Sequence, residues 1–537
     1  MSRAGAPLVN VEPRRLSGTR FAEAWLGLEP RATALLPGDP REIASYEAKA
    51  REVERRFDAA ALREVATHLS GGGPGAAARL EAFVGQGGFM VTTGQQPGLF
   101  GGPLYALYKG LTAAAVARRL EGVLGRPVLP VFWIASEHHV WEDVAAVHVV
   151  NLENVLSEVS LPPPAGAAGK PLHRVAVGPE ITDAVEKFCG LHPGSEFLPR
   201  WKDLLSEGYA PGKTLADGFR HIMADLLGSA GVFLLFAHDS ALKARSLPLL
   251  LRELTESAER EESLASFDVR VREAGFEPQV PFLEGATNLF FEGPAGRERI
   301  FRDGTRLRLR GSETVLSFDD VTARAADDPS LLSPNVLLRP VVEASLLPTL
   351  SYVAGPGEIA YLPHAASVFS AHGVERPIVH PRAAFSVLEG KVEKILRKFA
   401  LGLEDLALAE HELAGKLARE EMPGEVHDAL RALERSLAAG ADALEQATIP
   451  IDPTLRGPLD ALRSQSGQLL ADVERKILQS LKRRNEVALT QAAKAQLHLF
   501  PLGRPQERVF NPFYYLIRYD DAFLDAVNER VKQAVLP

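Results

Sequence analysis

Val91-Thr-Thr-Gly-Gln-Gln-Pro-Gly-Leu-Phe-Gly-Gly-Pro-Leu-Tyr-Ala-Leu-Tyr-Lys109 decides how this chain reads. It passes from an apolar stretch through a glycine-rich turn into the start of a helix. Pro103 suits the first helical turn, where no backbone donor is needed. Gly101 and Gly102 leave the N–H groups before the helix open, so the turn predicts an anion cradle at Thr93, Gly94, Gln95, Gln96, Gly101 and Gly102. Tyr105 and Lys109 are four residues apart and share a helical face, which makes Lys109 a candidate partner for a phosphate or carboxylate. The spacing is neither a Walker A loop nor a G-x-G-x-x-G fingerprint, so it names no ligand. A purely structural turn, with Tyr105 packed and Lys109 solvated, is the alternative.

The next apolar run, Val128–Ile134, ends in Ala-Ser-Glu137-His138-His139. Two consecutive strands that deliver polar residues at their C-terminal ends predict an open α/β sheet with a ligand crevice. Glu137 and His139 are candidates for acid–base work, for metal ligation, or for simple hydrogen bonding to a substrate. Three such side chains in a row cannot easily face one ion, so no metal site is assigned. Farther on, Leu350–Val353 leads into Gly355-Pro-Gly-Glu358, a second strand–glycine–helix junction. Gly355, Gly357 and Glu358 are candidate substrate contacts, although a helix N-terminus favours a glutamate in any case. The run Gly231–Asp239 reads as another buried strand, and His238 and Asp239 at its exit could reach the same crevice.

Between these strands the chain is less regular. Residues 155–212 are rich in Pro, Gly and Ala and read as an insertion. Val144–Leu152 reads as a further strand, Ala241–Ala274 as helix, and Asn288–Phe291 with Arg299–Leu309 as antiparallel strands turning at Arg302-Asp-Gly304. After Pro381 the pattern changes. Val426, Leu430, Leu433, Leu437 and Leu444 fall near 3.5-residue spacing, as do Leu455, Leu459, Leu462, Leu469, Val473 and Ile477, with Ile449-Pro-Ile-Asp-Pro453 between them. Two such seams joined by a proline turn predict an antiparallel coiled coil, packed on itself or against another copy. In the last stretch, Arg504, Gln506, Glu507, Arg508 and Asn511 precede or enter an aromatic cluster that would not stay exposed. These five could hold a nucleotide or tie the tail to the core.

The 537 residues suffice for two or three structural units, at 46% hydrophobic and 24% charged. A net charge of −9 argues against a broad nucleic-acid face. The single cysteine, Cys189, excludes an internal disulfide and a multi-cysteine zinc site. No signal-peptide pattern and no membrane-length apolar run is present, so a cytoplasmic protein is expected.

Several segments, in order, resemble one family: the cysteine ligases of bacillithiol biosynthesis. They are Thr93–Lys109, Pro130–His139, Asn335–Pro340, Pro348–Tyr361 and Gln506–Arg508. The resemblance implies a Rossmann-like parallel-sheet core over 1–382 with N-terminal helices and insertions near 155–212 and 280–345. It implies a C-terminal antiparallel α-helical coiled coil over 383–500, of a kind often used for homodimerisation, and a tail over 501–537 packed on the core. The implied activity joins cysteine to glucosaminyl-malate as an amide, with ATP or a related nucleotide as the expected activator and small molecules as the partners. One departure stands out. The family shows Glu-Asp-His-Asp after the second strand, whereas this chain has Glu137-His138-His139-Val140, which puts the amine or thiol substrate in question. The rival readings are a nucleotidyltransferase acting on a small metabolite and a non-catalytic coiled-coil scaffold.

Overall fold

The computed structural model describes residues 9–535 apart from 282, 421 and 485, with the side chains of 420, 482–484 and 486 also left aside. It divides into two units, residues 1–387 with 507–537, and residues 388–506.

The first unit is built on a six-stranded sheet. Its strands are β1 (Ser70–Gly71), β2 (Phe89–Gln95), β3 (Val128–Ile134), β4 (Phe233–Phe236), β5 (Thr349–Ala354) and β6 (Ile378–Pro381). The spatial order is β6-β5-β2-β3-β4-β1. All neighbours are parallel except β1, which runs against β4. Near-continuous apolar runs such as Val128–Ile134 form these strands because both faces are covered; every residue of β3 is buried. The helix α1 (Leu104–Leu124) follows β2 and packs on β2 and β3. From β2 the chain adds β3 and then β4 on one side. It returns to place β5 on the other side of β2. The order therefore reverses between β2 and β5, and such a reversal opens a crevice at the strands' carboxyl ends.

Several sequence expectations need adjusting. The strand expected at Val144–Leu152 is Ala146–Val150. It lies outside the main sheet and pairs antiparallel with Leu156–Ser160, at the start of the insertion. The single helix expected over 241–274 is two, α2 (Ser240–Thr255) and Ser257–Glu273, broken at Glu256. Likewise the helix after Gly355 is broken into short pieces, with α3 (Arg339–Leu346) before β5, then α4 (Pro356–Tyr361) and Ala365–His372 after it. The expected strands at 288–309 belong to a larger antiparallel sheet in the order Val315–Ser317, Arg306–Leu309, Gly296–Asp303, Ala286–Gly293, Leu332–Pro334. The tail turns its aromatic residues inward: Phe510, Phe513, Tyr514, Tyr515 and Leu516 are all buried. Helix Asp521–Ala534 packs on α1.

The second unit carries α5 (Gly424–Thr448) and α6 (Arg456–Arg484), joined by the proline turn. They pair as an antiparallel coiled coil, and Arg463 of α6 bridges Asp442 at 2.7 Å and Glu445 at 2.5 Å on α5. Ala441 and Leu459 are buried, yet Leu433, Leu437, Leu444, Leu462, Leu469 and Val473 stay exposed. The unit's own core lies elsewhere, around Leu406, Leu413, Ala492 and Leu499.

Candidate functional site

A cavity of about 610 Å³ opens at the strand-order reversal. Gly94, Gln95 and Gln96 reach it from the end of β2, and Trp133 and Ala135 from β3. Gly355, Gly357 and Glu358 line it from the β5–α4 junction. The antiparallel sheet supplies the facing wall through Phe290, Arg297 and Arg299, and the segment beyond it contributes Asn335 and Arg339. Five stretches separated in sequence thus meet where the topology puts a crevice.

Lys109 lies beneath this cavity rather than in solvent; its side chain is 3% exposed. All three ammonium protons have acceptors: Glu358 Oε2 at 2.5 Å, the Gly94 carbonyl at 2.7 Å and Gln95 Oε1 at 3.4 Å. Glu358 is equally committed, accepting from Tyr352 Oη at 2.6 Å and from the Gly355 N–H at 2.8 Å. Burial disfavours its charge, but Lys109 beside it outweighs burial and holds the carboxyl below its ordinary range. The pair ties α1 to α4 across the ends of β2 and β5. Gln95 also donates to Tyr105 Oη at 3.0 Å, so Tyr105 is fixed at the rim.

Glu137 lines the cavity and pairs with Lys243 of α2 at 2.7 Å. His139 sits behind the lining, where Arg297 Nη1 donates to its Nδ1 at 3.2 Å. Burial and then the Arg297 charge push the His139 imidazole down to about 4, so it is neutral at pH 7. The lining residue of this pair is instead His138, whose Nε2 is 3.1 Å from Asp143 Oδ2. Burial lowers it too. His238 does not line the cavity; its Nδ1 bonds Ser136 Oγ at 2.7 Å and its ring stacks on His173 at 4.3 Å. Asp239 caps α2 through the N–H groups of Ala241 and Leu242. Among the described residues no three His, Cys, Asp or Glu side chains form a metal set.

The glycine turn does not make the expected cradle. The Gly101 N–H donates to Tyr209 Oη at 3.0 Å and the Gly102 N–H to the Leu99 carbonyl at 3.0 Å, and both glycines are buried away from the lining. The Leu104 N–H at the start of α1 donates to the tail's Phe510 carbonyl at 2.8 Å. The positive φ values of Gly101 and Gly102 serve a tight turn against the helix Leu215–Gly228. Thr93 is also buried, its hydroxyl donating to the Val353 carbonyl at 2.9 Å.

The tail residues have separate tasks. Glu507, fully buried, accepts from Arg382 at 2.7 Å and Arg14 at 2.6 Å, and both charges hold it ionised despite burial. Arg508 lines the cavity, with Tyr105's ring 5.9 Å from its guanidinium. Asn511 Oδ1 accepts from the Tyr514 N–H. In the second unit, Arg504 is exposed and Gln506 donates to the His498 carbonyl at 3.1 Å.

The residues that sequence reasoning missed are mostly arginines. Arg297, Arg299, Arg339 and Arg382 join the anticipated Lys109 and Arg508 in the lining, against the carboxylates Glu137 and Glu358. Arg339 is neutralised by Glu343 at 2.5 Å and Arg382 by Glu507. Arg297 and Arg299 have no carboxylate within ion-pair distance among the described residues. Arg297 lies over the Phe290 ring at 4.0 Å and donates to Ser333 Oγ and the Pro334 carbonyl. Arg299 donates through Nε to the Thr287 carbonyl at 3.1 Å and lines the cavity. Burial lowers both, Arg297 to about 10. The Trp133 indole Nε1 is buried and has no hydrogen-bond partner among the described residues. The one available signal was spacing: 297 and 299 are two apart on a strand and so share a face. Cys189 is no part of this; it is buried in helix Glu180–Gly190, and burial pushes its thiol up to about 11.

Comparison with known proteins agrees with this architecture. A family model described as "Bacillithiol biosynthesis BshC, N-terminal Rossmann-like domain" matches residues 17–383. A second, "Bacillithiol biosynthesis BshC, C-terminal coiled-coil domain", matches residues 385–534. Among curated relatives, a protein of Salinibacter ruber named "Putative cysteine ligase BshC" is 34% identical over 450 residues, covering 82% of this chain and 80% of its own. A protein of the same name from Heliobacterium modesticaldum is 34% identical over 457 residues, with 82% and 80% covered. One from Prosthecochloris aestuarii is 31% identical over 451 residues, with 81% and 79% covered.

Proposed function

The chain belongs to the BshC family of bacillithiol biosynthesis, and on that premise we propose that it is a ligase joining the carboxyl group of cysteine to the amine of glucosaminyl-malate. The observation that carries the reading is the pair Arg297 and Arg299, two guanidiniums without carboxylate partners on one wall of the cavity. A dicarboxylate such as the malate moiety supplies the missing charge, and guanidinium–carboxylate pairs are directional as well as strong.

The chemistry requires that the cysteine carboxyl be activated before an amine can displace the leaving group. ATP or a related nucleotide is the expected activator. In the amide-forming step the amine nitrogen bonds to the carboxyl carbon, the leaving group departs with its electron pair, and the nitrogen loses a proton. Glu137 is the cavity carboxylate placed to take that proton, with Lys243 holding its side chain. His139 acts on Arg297 rather than on the substrate. The Lys109–Glu358 pair fixes the strand ends around the reacting groups. Homodimerisation through α5 and α6 fits the exposed leucines there, and cytoplasmic action fits the substrates.

The test is direct. The purified chain, given cysteine, glucosaminyl-malate and ATP, should yield the cysteinyl amide by mass spectrometry. Arg297→Ala and Arg299→Ala should each raise KM for glucosaminyl-malate about 10- to 100-fold, the loss of one charged hydrogen bond, with KM for cysteine nearly unchanged. An adenylated product without amide would instead mark a nucleotidyltransferase, and no turnover or binding with any of these compounds would mark a scaffold.

A further inference from the structure

A second cavity, of about 280 Å³, lies in the first unit and shares no lining residue with the first. It is set between helix Ser257–Glu273, helix Ala365–His372 and the Leu35 and Arg376 loops. Phe267, Phe369, Leu35 and Val374 give it an apolar surface, and Ser370 places one hydroxyl on it. Its only charged lining residues are Arg270 and Arg376.

Neither arginine has a carboxylate within ion-pair distance among the described residues. The acids adjacent in sequence include two that are engaged elsewhere: Glu375 pairs with Arg56, and Asp268 with His364 at 2.9 Å. Arg376 donates once, from Nη1 to the Leu35 carbonyl at 3.0 Å. Arg270 lies over the Phe267 ring at 5.1 Å. Burial lowers the Arg376 guanidinium below its ordinary range and the Arg270 charge lowers it further, so the two cations repel across a half-buried space. Like charges held together without a counter-charge cost stability, and an anion between them would relieve it. Leu35, Phe267, Phe369 and Val374 supply apolar lining beside them, which suits a ligand with a hydrocarbon body more than a bare, fully hydrated ion.

We propose that this second cavity binds a small organic carboxylate, with its carboxylate between Arg270 and Arg376 and its apolar body against Phe267 and Phe369. The site is independent of the ligase reading, since no residue is shared.

Phenylacetate is a suitable probe, titrated against the full-length chain by calorimetry and thermal shift. Acetate, inorganic phosphate and phenylacetamide serve as controls for the body and the charge. Saturable phenylacetate binding is expected, at least tenfold tighter than acetate, phosphate or the amide. Arg270→Glu, an exposed substitution, should abolish it, and Ser370→Trp should block it by filling the space. Glucosaminyl-malate binding should be unchanged in both variants. The proposal fails if phenylacetate does not saturate, if phosphate or phenylacetamide binds equally well, or if Arg270→Glu keeps the wild-type affinity.

Discussion

Lys109 shows how one residue type carries opposite readings. A lysine after a glycine turn reads as a ligand for phosphate or carboxylate, yet here its protons are shared among Glu358, Gly94 and Gln95. Lys109→Met should therefore act first on stability. It strands a buried carboxylate, a loss of about 3–5 kcal/mol. Adding Glu358→Gln should recover much of it, which urea denaturation of the single and double variants would measure. His380 of β6 gives a second residue-scale prediction. Burial pushes its imidazole down to about 4, and Nδ1 donates to the Pro381 carbonyl at 2.9 Å. The unfolded chain binds that proton near pH 6.5, so stability is full above this value and falls as pH drops toward 4. His380→Asn keeps the donor and loses the titration. It should flatten the fall between pH 7.5 and pH 5 by about 2 kcal/mol, since each pKa unit is worth 1.36 kcal/mol. Gln95, Glu137 and Glu358 were legible as cavity residues because strand ends and glycines mark such places. Arg297 and Arg299 were not, because an arginine on a strand ordinarily belongs to its solvated face.

At the level of elements, the strand–turn–helix unit was legible but its purpose was not. Sequence shows that Gly101 and Gly102 free the backbone. It does not show that Tyr209 and the tail's Phe510 carbonyl, each remote along the chain, claim the donors at this junction. The turn is consequently a folding constraint. Gly102, at φ 67° and ψ −166°, occupies a region closed to other residues. Gly102→Ala should cost about 1–3 kcal/mol, read by calorimetry, with KM for the substrates little altered. The coiled coil presents the converse case. The 3.5-residue spacing fixed the pairing of α5 with α6, because periodicity sets which side faces the partner. How much of each seam the pair covers depends on the neighbours, and six of its large apolar residues remain exposed.

For the whole molecule, those exposed residues bear on assembly. Six large apolar residues exposed on one helical pair suit a contact surface. Light scattering should give twice the chain mass, and Leu433→Glu with Leu437→Glu should reduce it to one. A wild-type mass of one chain would defeat the dimer reading. The parallel core and the coiled coil were readable because each repeats a local pattern. The strand-order reversal, the arginine wall and the return of residues 507–535 to the first unit were not, since they arise from contacts between distant segments. The proposed reaction yields a thiol, and the oxidised forms of such a product would capture any accessible thiolate. Cys189 is shut away with its proton held tightly, so the folded chain offers nothing for exchange. Incubated with cystine, it should keep its intact mass and gain an adduct only once denatured, whereas an adduct on the folded chain would show that Cys189 is reachable.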